Sequence, residues 1–142
     1  MYYHFRIEKE DIGYSAFCIE LDGCLTQGDT MEELEYNMRE ALNLYLDEPS
    51  ESNCVFPLPD EKIKKKKNIV EIPVDPEIAF AVLLRHLRNK HNLSQNQAAK
   101  LLGMKNVYSY QRLEKRANPN LKMIHRIKEV FPELRIDSIL NV

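Results

Sequence analysis

The chain has 142 residues, 44% of them hydrophobic and 30% charged, enough for one ordinary domain or two small ones. Its formal net charge of −2 hides a division: residues 1–60 carry 14 acidic and 3 basic side chains, a balance of −11, and residues 61–142 carry 8 acidic and 17 basic, a balance of +9. No apolar run approaches the roughly 18 residues of a membrane span. The start, Met1-Tyr2-Tyr3-His4-Phe5, lacks the basic-then-apolar order of a signal peptide, and Cys18, Cys24 and Cys54 are an odd set without paired spacing, which argues against a disulfide framework and for a reducing cytoplasm.

The charge division favours two domains with opposite partners. Each is close to the lower size limit for an independent core, so a homodimer or tetramer is expected to add stability. In the acidic half, Tyr3, Phe5 and Ile7 alternate with His4 and Arg6, the period of a half-buried strand. Asp11-Ile12-Gly13 offers a turn, and Tyr14 to Ile19 completes a β-hairpin. Tyr14 and Phe17 read as core. Cys24-Leu25-Thr26-Gln27, between Gly23 and Gly28, is a third short strand. Thr30 and Glu33 form a capping box that opens a helix to about Leu46, with Leu34, Met38, Ala41/Leu42 and Tyr45 as its inner stripe. Glu32, Glu33, Glu35 and Glu40 read as a solvated face. Pro49 to Asn53 ends that helix. Phe56-Pro57-Leu58-Pro59 and Lys64 to Lys67 belong to a loop, and Ile69 to Val74 is a β-branched strand that rejoins the sheet. The expected domains are therefore 1–74, including the loop 49–68, and 75–142.

In the basic half, Asp75-Pro76 is an N-cap followed by proline at the first helical position, with Ile78, Val82, Leu83 and Leu87 as the apolar stripe. His86 and His91 read as surface residues. Ser94 with Gln97 caps the next helix, Ala98 and Ala99 permit close packing, and Gly103 permits a left-handed C-terminal turn. Tyr108 to Lys115 is another helix. Asn118-Pro119 starts the last, with Leu121, Ile124, Ile127 and Phe131 inward. The fold class is thus an α+β domain of order β-β-β-α-β followed by an all-α helix-turn-helix domain.

The ordered set L-S-Q-x-x-A-A-x-x-L-G, Y-x-x-L-E and N-P-x-L resembles helix-turn-helix domains of the lambda-repressor type. The resemblance implies that the second helix of the pair enters the major groove and that Gln95 holds a DNA phosphate. By position, Asn106, Val107, Tyr108, Ser109, Gln111 and Arg112 become the reading positions. Arg112 suits guanine, Gln111 adenine, and Val107 a thymine methyl. Lys105, Lys115 and Arg116 suit backbone anchoring. Leu113 lies ten residues after Gly103 where many such domains have nine, so the turn carries one extra residue.

Gly23 to Leu34, G-C-L-T-Q-G-D-T-x-E-E-L, together with Phe56-Pro57-Leu58-Pro59, the Ile69 to Val74 strand and the repressor-like domain, resembles the HicB antitoxin family. Leu21-Asp22 replaces the proline-containing loop often found before the glycine. The resemblance implies a degenerate ribonuclease-H-like N-terminal domain that binds a small basic HicA-type toxin, an mRNA-cleaving ribonuclease, while the C-terminal domain binds operator DNA of its own operon. Glu20, Asp22 and Asp29 are the candidate toxin contacts, since an acidic surface mimics RNA phosphates. The alternative is a stand-alone transcription regulator whose N-terminal domain senses a small molecule. A metal-dependent nuclease is a third reading. A ribonuclease-H site, however, needs carboxylates converging on two metals, and the first strand carries Tyr, His, Phe, Arg and Ile where a central acid belongs. The Cys and His residues lack zinc spacing. No catalytic residue, metal or cofactor is expected.

Overall fold

The computed structural model describes residues 1–47 and 53–141. Two compact units are present: Met1–Leu46 with Pro57–Asp75 and Asn141, and the described part of 47–56 with Pro76–Leu140. Counted by unit over the described residues, the charges are 14 acidic against 8 basic in the first (−6) and 6 against 12 in the second (+6). The opposition survives but shrinks, because Lys62 and Lys64 to Lys67 fall in the first unit.

The first unit is a four-stranded antiparallel sheet with the helix α1 (Met31–Leu46) against one face. Its strands are β1 (Tyr2–Lys9), β2 (Tyr14–Cys18), β3 (Leu25–Gly28) and β4 (Ile69–Pro73), in the spatial order β3-β2-β1-β4. Period-two alternation puts Tyr3, Phe5, Ala16, Cys18 and Ile72 on the covered face, all of them buried. Burial drives the phenol of Tyr3 far above its ordinary pKa, and its hydroxyl donates to the Pro57 carbonyl at 2.7 Å. Gly13, at φ +76°, makes the hairpin turn that an L side chain resists.

The G-D-T-x-E-E segment has a structural explanation. A Cβ on Gly28 would stand 2.7 Å from the Leu34 nitrogen, so glycine is what lets β3 meet the start of α1. Thr30 Oγ1 accepts from Glu33 N at 3.1 Å, the expected cap. The return half of the capping box differs: the Glu33 carboxylate accepts from Asp29 N at 3.1 Å instead of from Thr30. Leu34, Met38, Leu42 and Leu46 form the buried stripe of α1, and buried Asn43 accepts from Asp75 N at 2.8 Å. The expected helix stop at Pro49 to Ser52 lies outside the described residues. The lysine run enters a tight turn in which Lys66 and Ile69 exchange backbone hydrogen bonds of 3.1 and 3.2 Å.

The second unit holds α2 (Pro76–Lys90), α3 (Gln95–Leu101), α4 (Val107–Leu113) and α5 (Leu121–Val130), then a 3-10 turn at Ile136–Ser138. Ile78, Val82 and Leu83 of the expected stripe lie within a continuous buried run, Ile78 to Arg85, and Leu87 is buried beyond it. His86 is half-buried, not a surface residue; His91 pairs with Glu133 at 2.5 Å and sets its ring edge-on to Phe131, centroids 5.1 Å apart. α5 begins two residues later than the proline suggests. Asn120 is its N-cap, accepting from Met123 N at 2.9 Å, which leaves Leu121 84% exposed while Ile127 and Phe131 fill the core. Among the described residues no helix is long and apolar enough to cross a membrane.

Candidate functional site

The α3–α4 pair is built by local capping chemistry. Ser94 Oγ accepts from Gln97 N at 3.0 Å and Gln97 Oε1 accepts from Ser94 N at 2.8 Å, a complete capping box. Ala98 and Ala99 are buried at the packing face. The helix ends in a Schellman motif: Met104 N donates to Ala99 O at 2.9 Å, Gly103 N to Lys100 O at 3.1 Å, and Gly103 takes φ +69°. Three residues later Asn106 caps α4, its Oδ1 accepting from Ser109 N at 3.0 Å and Ser109 Oγ at 3.2 Å.

Beneath α4 lies a buried ionic network centred on Glu114, which is fully buried. Its carboxylate accepts from Arg88 Nε at 2.5 Å and Nη2 at 3.3 Å, from Tyr110 Oη at 2.8 Å and from Gln95 Nε2 at 2.8 Å. Arg85 Nη2 donates to the Glu114 carbonyl at 2.6 Å, and Arg88 Nη1 to the Leu93 carbonyl at 2.9 Å. Gln111 Nε2 donates to Gln95 Oε1 at 3.0 Å. Burial, and then the charge of Glu114 and the hydrogen bond to it, push the Tyr110 phenol far above its ordinary pKa, so it stays a donor. One carboxylate thus ties the end of α4 to α2 and to the start of α3. Arg88 is hydrogen-bonded to it directly, whereas Arg85 lies 3.9 Å away with its buried Nε unbonded among the described residues; buried charges are costly unless paired, and here one carboxylate is the counter-charge for both.

This scaffold sorts the sequence candidates. The side chains of Lys105, Tyr108, Arg112 and Lys115 are exposed and, among the described residues, bond to nothing else in the chain; Tyr108 and Arg112 lie one turn apart on α4. Val107, Ser109 and Gln111 are half-buried. Asn106 and Ser109 are engaged in capping, and Gln111 and Gln95 in bonding each other. Arg116, at φ +39°, pairs through Nε with Asp47 at 2.8 Å. Arg85, Arg88 and the role of Glu114 escaped the sequence reading; the available signal was two arginines three apart inside an otherwise apolar helix.

In the first unit, Glu20 is not a surface acid. Its side chain is 4% exposed, and its carboxylate accepts from His4 Nδ1 at 2.7 Å, His4 N at 2.9 Å and Asp60 N at 3.2 Å. Asp22 and Asp29 are exposed and flank β3 at either end. Phe17, expected in the core, is 39% exposed because it points away from α1. Cys18 and Cys24 are free and buried; the hydrogen bond between their thiols, then burial, raises the pKa of Cys18, while the same bond lowers that of Cys24. Among the described residues no group of three or more His, Cys, Asp or Glu side chains gathers as a metal site.

Residues 84–137 match a helix-turn-helix family model, so α3 and α4 belong to a helix-turn-helix domain, the DNA-binding element of many transcription regulators. A UPF0150 protein of Helicobacter pylori is 41% identical over 75 residues, which cover 53% of this chain and 92% of the relative. The UPF0150 protein ssr1765 of Synechocystis is 52% identical over 46 residues, 32% of this chain and 58% of the relative's length. With nearly the whole length of the Helicobacter protein matched at that identity, the chain belongs to the UPF0150 family.

Proposed function

We propose that the chain is an antitoxin and autorepressor: its sheet unit captures a small basic HicA-type ribonuclease, and its helical unit binds the operator of the shared operon. The observation that carries this reading is the joining of an acidic sheet unit to a helix-turn-helix domain on one chain of the UPF0150 family. The G-C-L-T-Q-G-D-T-x-E-E-L segment and its HicB resemblance support the toxin half. Opposite charge between antitoxin and toxin accelerates encounter and disfavours wrong partners.

On DNA, α4 lies in the major groove. Arg112 makes a bidentate contact to guanine and Tyr108 packs beside it. Lys105 and Lys115 anchor phosphates, with Arg116 once it leaves Asp47, and fix register without reading sequence. Gln95 holds a phosphate from the start of α3, its rotamer set by Gln111 and Glu114. The Glu114 network keeps these side chains at a fixed height above the duplex. A two-fold dimer spans half-sites one duplex turn apart, and affinity falls steeply with salt.

Co-expression with the short basic reading frame beside the gene tests the toxin half. Rescue from its toxicity, and co-purification of the two products, are expected. A metabolic operon in that place, with ligand-dependent release from DNA, would support a small-molecule-responsive regulator instead.

A further inference from the structure

We propose that the uncovered face of the β2–β3 hairpin, centred on Phe17 and Leu25, is the docking surface for the cationic toxin. The proposal rests on the antitoxin reading and names the surface that serves it. α1 covers only one side of the sheet. On the other side the register sets Leu25, Phe17 and Arg6 in one cross-strand row. Leu25 is 67% and Phe17 39% exposed, an aromatic–aliphatic pair held rigidly by strand pairing and covered by nothing among the described residues. A rigid exposed aromatic beside a hydrophobic neighbour is the usual anchor of a protein interface.

The row borders an open groove of about 560 Å³ lined by residues of β2, β3 and their connection; Asp22 is its exposed acid, Glu20 being turned onto His4 and the Asp60 amide, and no lysine or arginine lines it. Glu8 and Asp29 add negative charge on β1 and just after β3, with Arg6 and Lys9 the local exceptions. Cys18 N donates to Cys24 O at 2.8 Å, so the backbone groups of Leu25 and Gln27 point away from β2, and Asn37 Nδ2 engages the Gln27 carbonyl at 2.8 Å. The face beside that edge presents an apolar centre with an acidic rim.

That chemistry selects among occupants. A nucleic acid meets negative charge and finds no cation in the groove. A second copy of this unit brings a like balance of −6, and like charges across an interface are repulsive. A basic protein with an apolar patch satisfies both the centre and the rim.

The test is a calorimetric titration of the purified full chain with the product of the neighbouring basic reading frame. Wild type is compared with Phe17→Ser/Leu25→Ser and with Asp22→Lys, and Glu32→Gln/Glu40→Gln on α1 serves as a surface control. The serine pair is expected to weaken binding roughly thirtyfold or more, Asp22→Lys to weaken it and slow association, and the α1 control to change little. Circular dichroism melts and unchanged operator affinity check folding, and Asp22→Lys, at an exposed position, tests the surface even if the serine pair fails to fold. If wild type binds and both hairpin variants bind within twofold of it, the surface is wrong and the antitoxin reading stands. If wild type itself does not bind, that reading fails and the surface with it. Loss of self-association in the serine pair, with toxin capture intact, overturns the proposal in favour of a second copy.

Discussion

The two units handle charge in opposite ways. The helical unit buries a carboxylate and two guanidiniums so that one short helix is held in place, and leaves Lys105, Arg112 and Lys115 free above it. The sheet unit buries one carboxylate, Glu20, to tie its own strand ends and loop together, and leaves Asp22 and Asp29 outside around an uncovered apolar row. In both, the charged residue nearest the centre is structural, and the residues proposed to face a partner are those left exposed around it.

The largest way to break that contrast is Glu114→Ala. Removing the carboxylate leaves Arg85 and Arg88 buried with their backbone-carbonyl contacts and no counter-charge, and is expected to destabilise the helical unit by about 3–5 kcal/mol. Urea denaturation followed by circular dichroism should show a shifted helical transition, and operator binding should be lost. Arg112→Ala comes next: stability is unchanged, operator affinity falls by about 1–3 kcal/mol, and preference at one base pair relaxes, as read by fluorescence anisotropy on operator variants. Asn106→Ala, which removes the cap of α4, costs about 1 kcal/mol of stability and separates holding the helix from reading DNA. Gln95→Ala should weaken binding to all sequences alike and leave the slope of log K against log salt unchanged, because a neutral amide releases no counterion.

The smallest effect is a pH dependence. Burial, and then the charge of Lys90, hold His86 below its ordinary pKa of 6.5. The unfolded chain therefore takes up the proton first. Stability is unaffected above the ordinary value and declines as pH falls through it toward the lower folded value. His86→Gln should flatten that slope in thermal melts between neutral and mildly acidic pH.

The strands were legible because period-two alternation survives in Tyr3, Phe5 and Ile7 and in the β-branched run from Ile69. The α1 start and the α3 boundaries were legible from Thr30, Ser94 and Gly103, whose side chains or backbone do what their types require. Where two caps compete, the pattern misleads: Asn118-Pro119 looks like a helix start, but Asn120 makes the bond, and Leu121 turns outward. Buried polar groups were not legible. Arg85 and Arg88 look like surface residues until Glu114 is seen beneath them, and Glu20 looks like a free acid until His4 and the Asp60 amide close on it. Phe17 shows the converse, since alternation says which residues share a face and not which face is covered. The charge split at residue 60 overstated the contrast between units because chain order and unit membership part at the lysine run.

The claim that one chain holds two independent partners is tested most directly by titrating the toxin candidate into the full-length protein already bound to operator DNA. Toxin is expected to bind the DNA-bound protein, and Arg112→Ala to weaken the DNA complex by about 1–3 kcal/mol while leaving toxin affinity unchanged. Absence of toxin binding to the wild-type protein, or loss of toxin binding in Arg112→Ala, would contradict it.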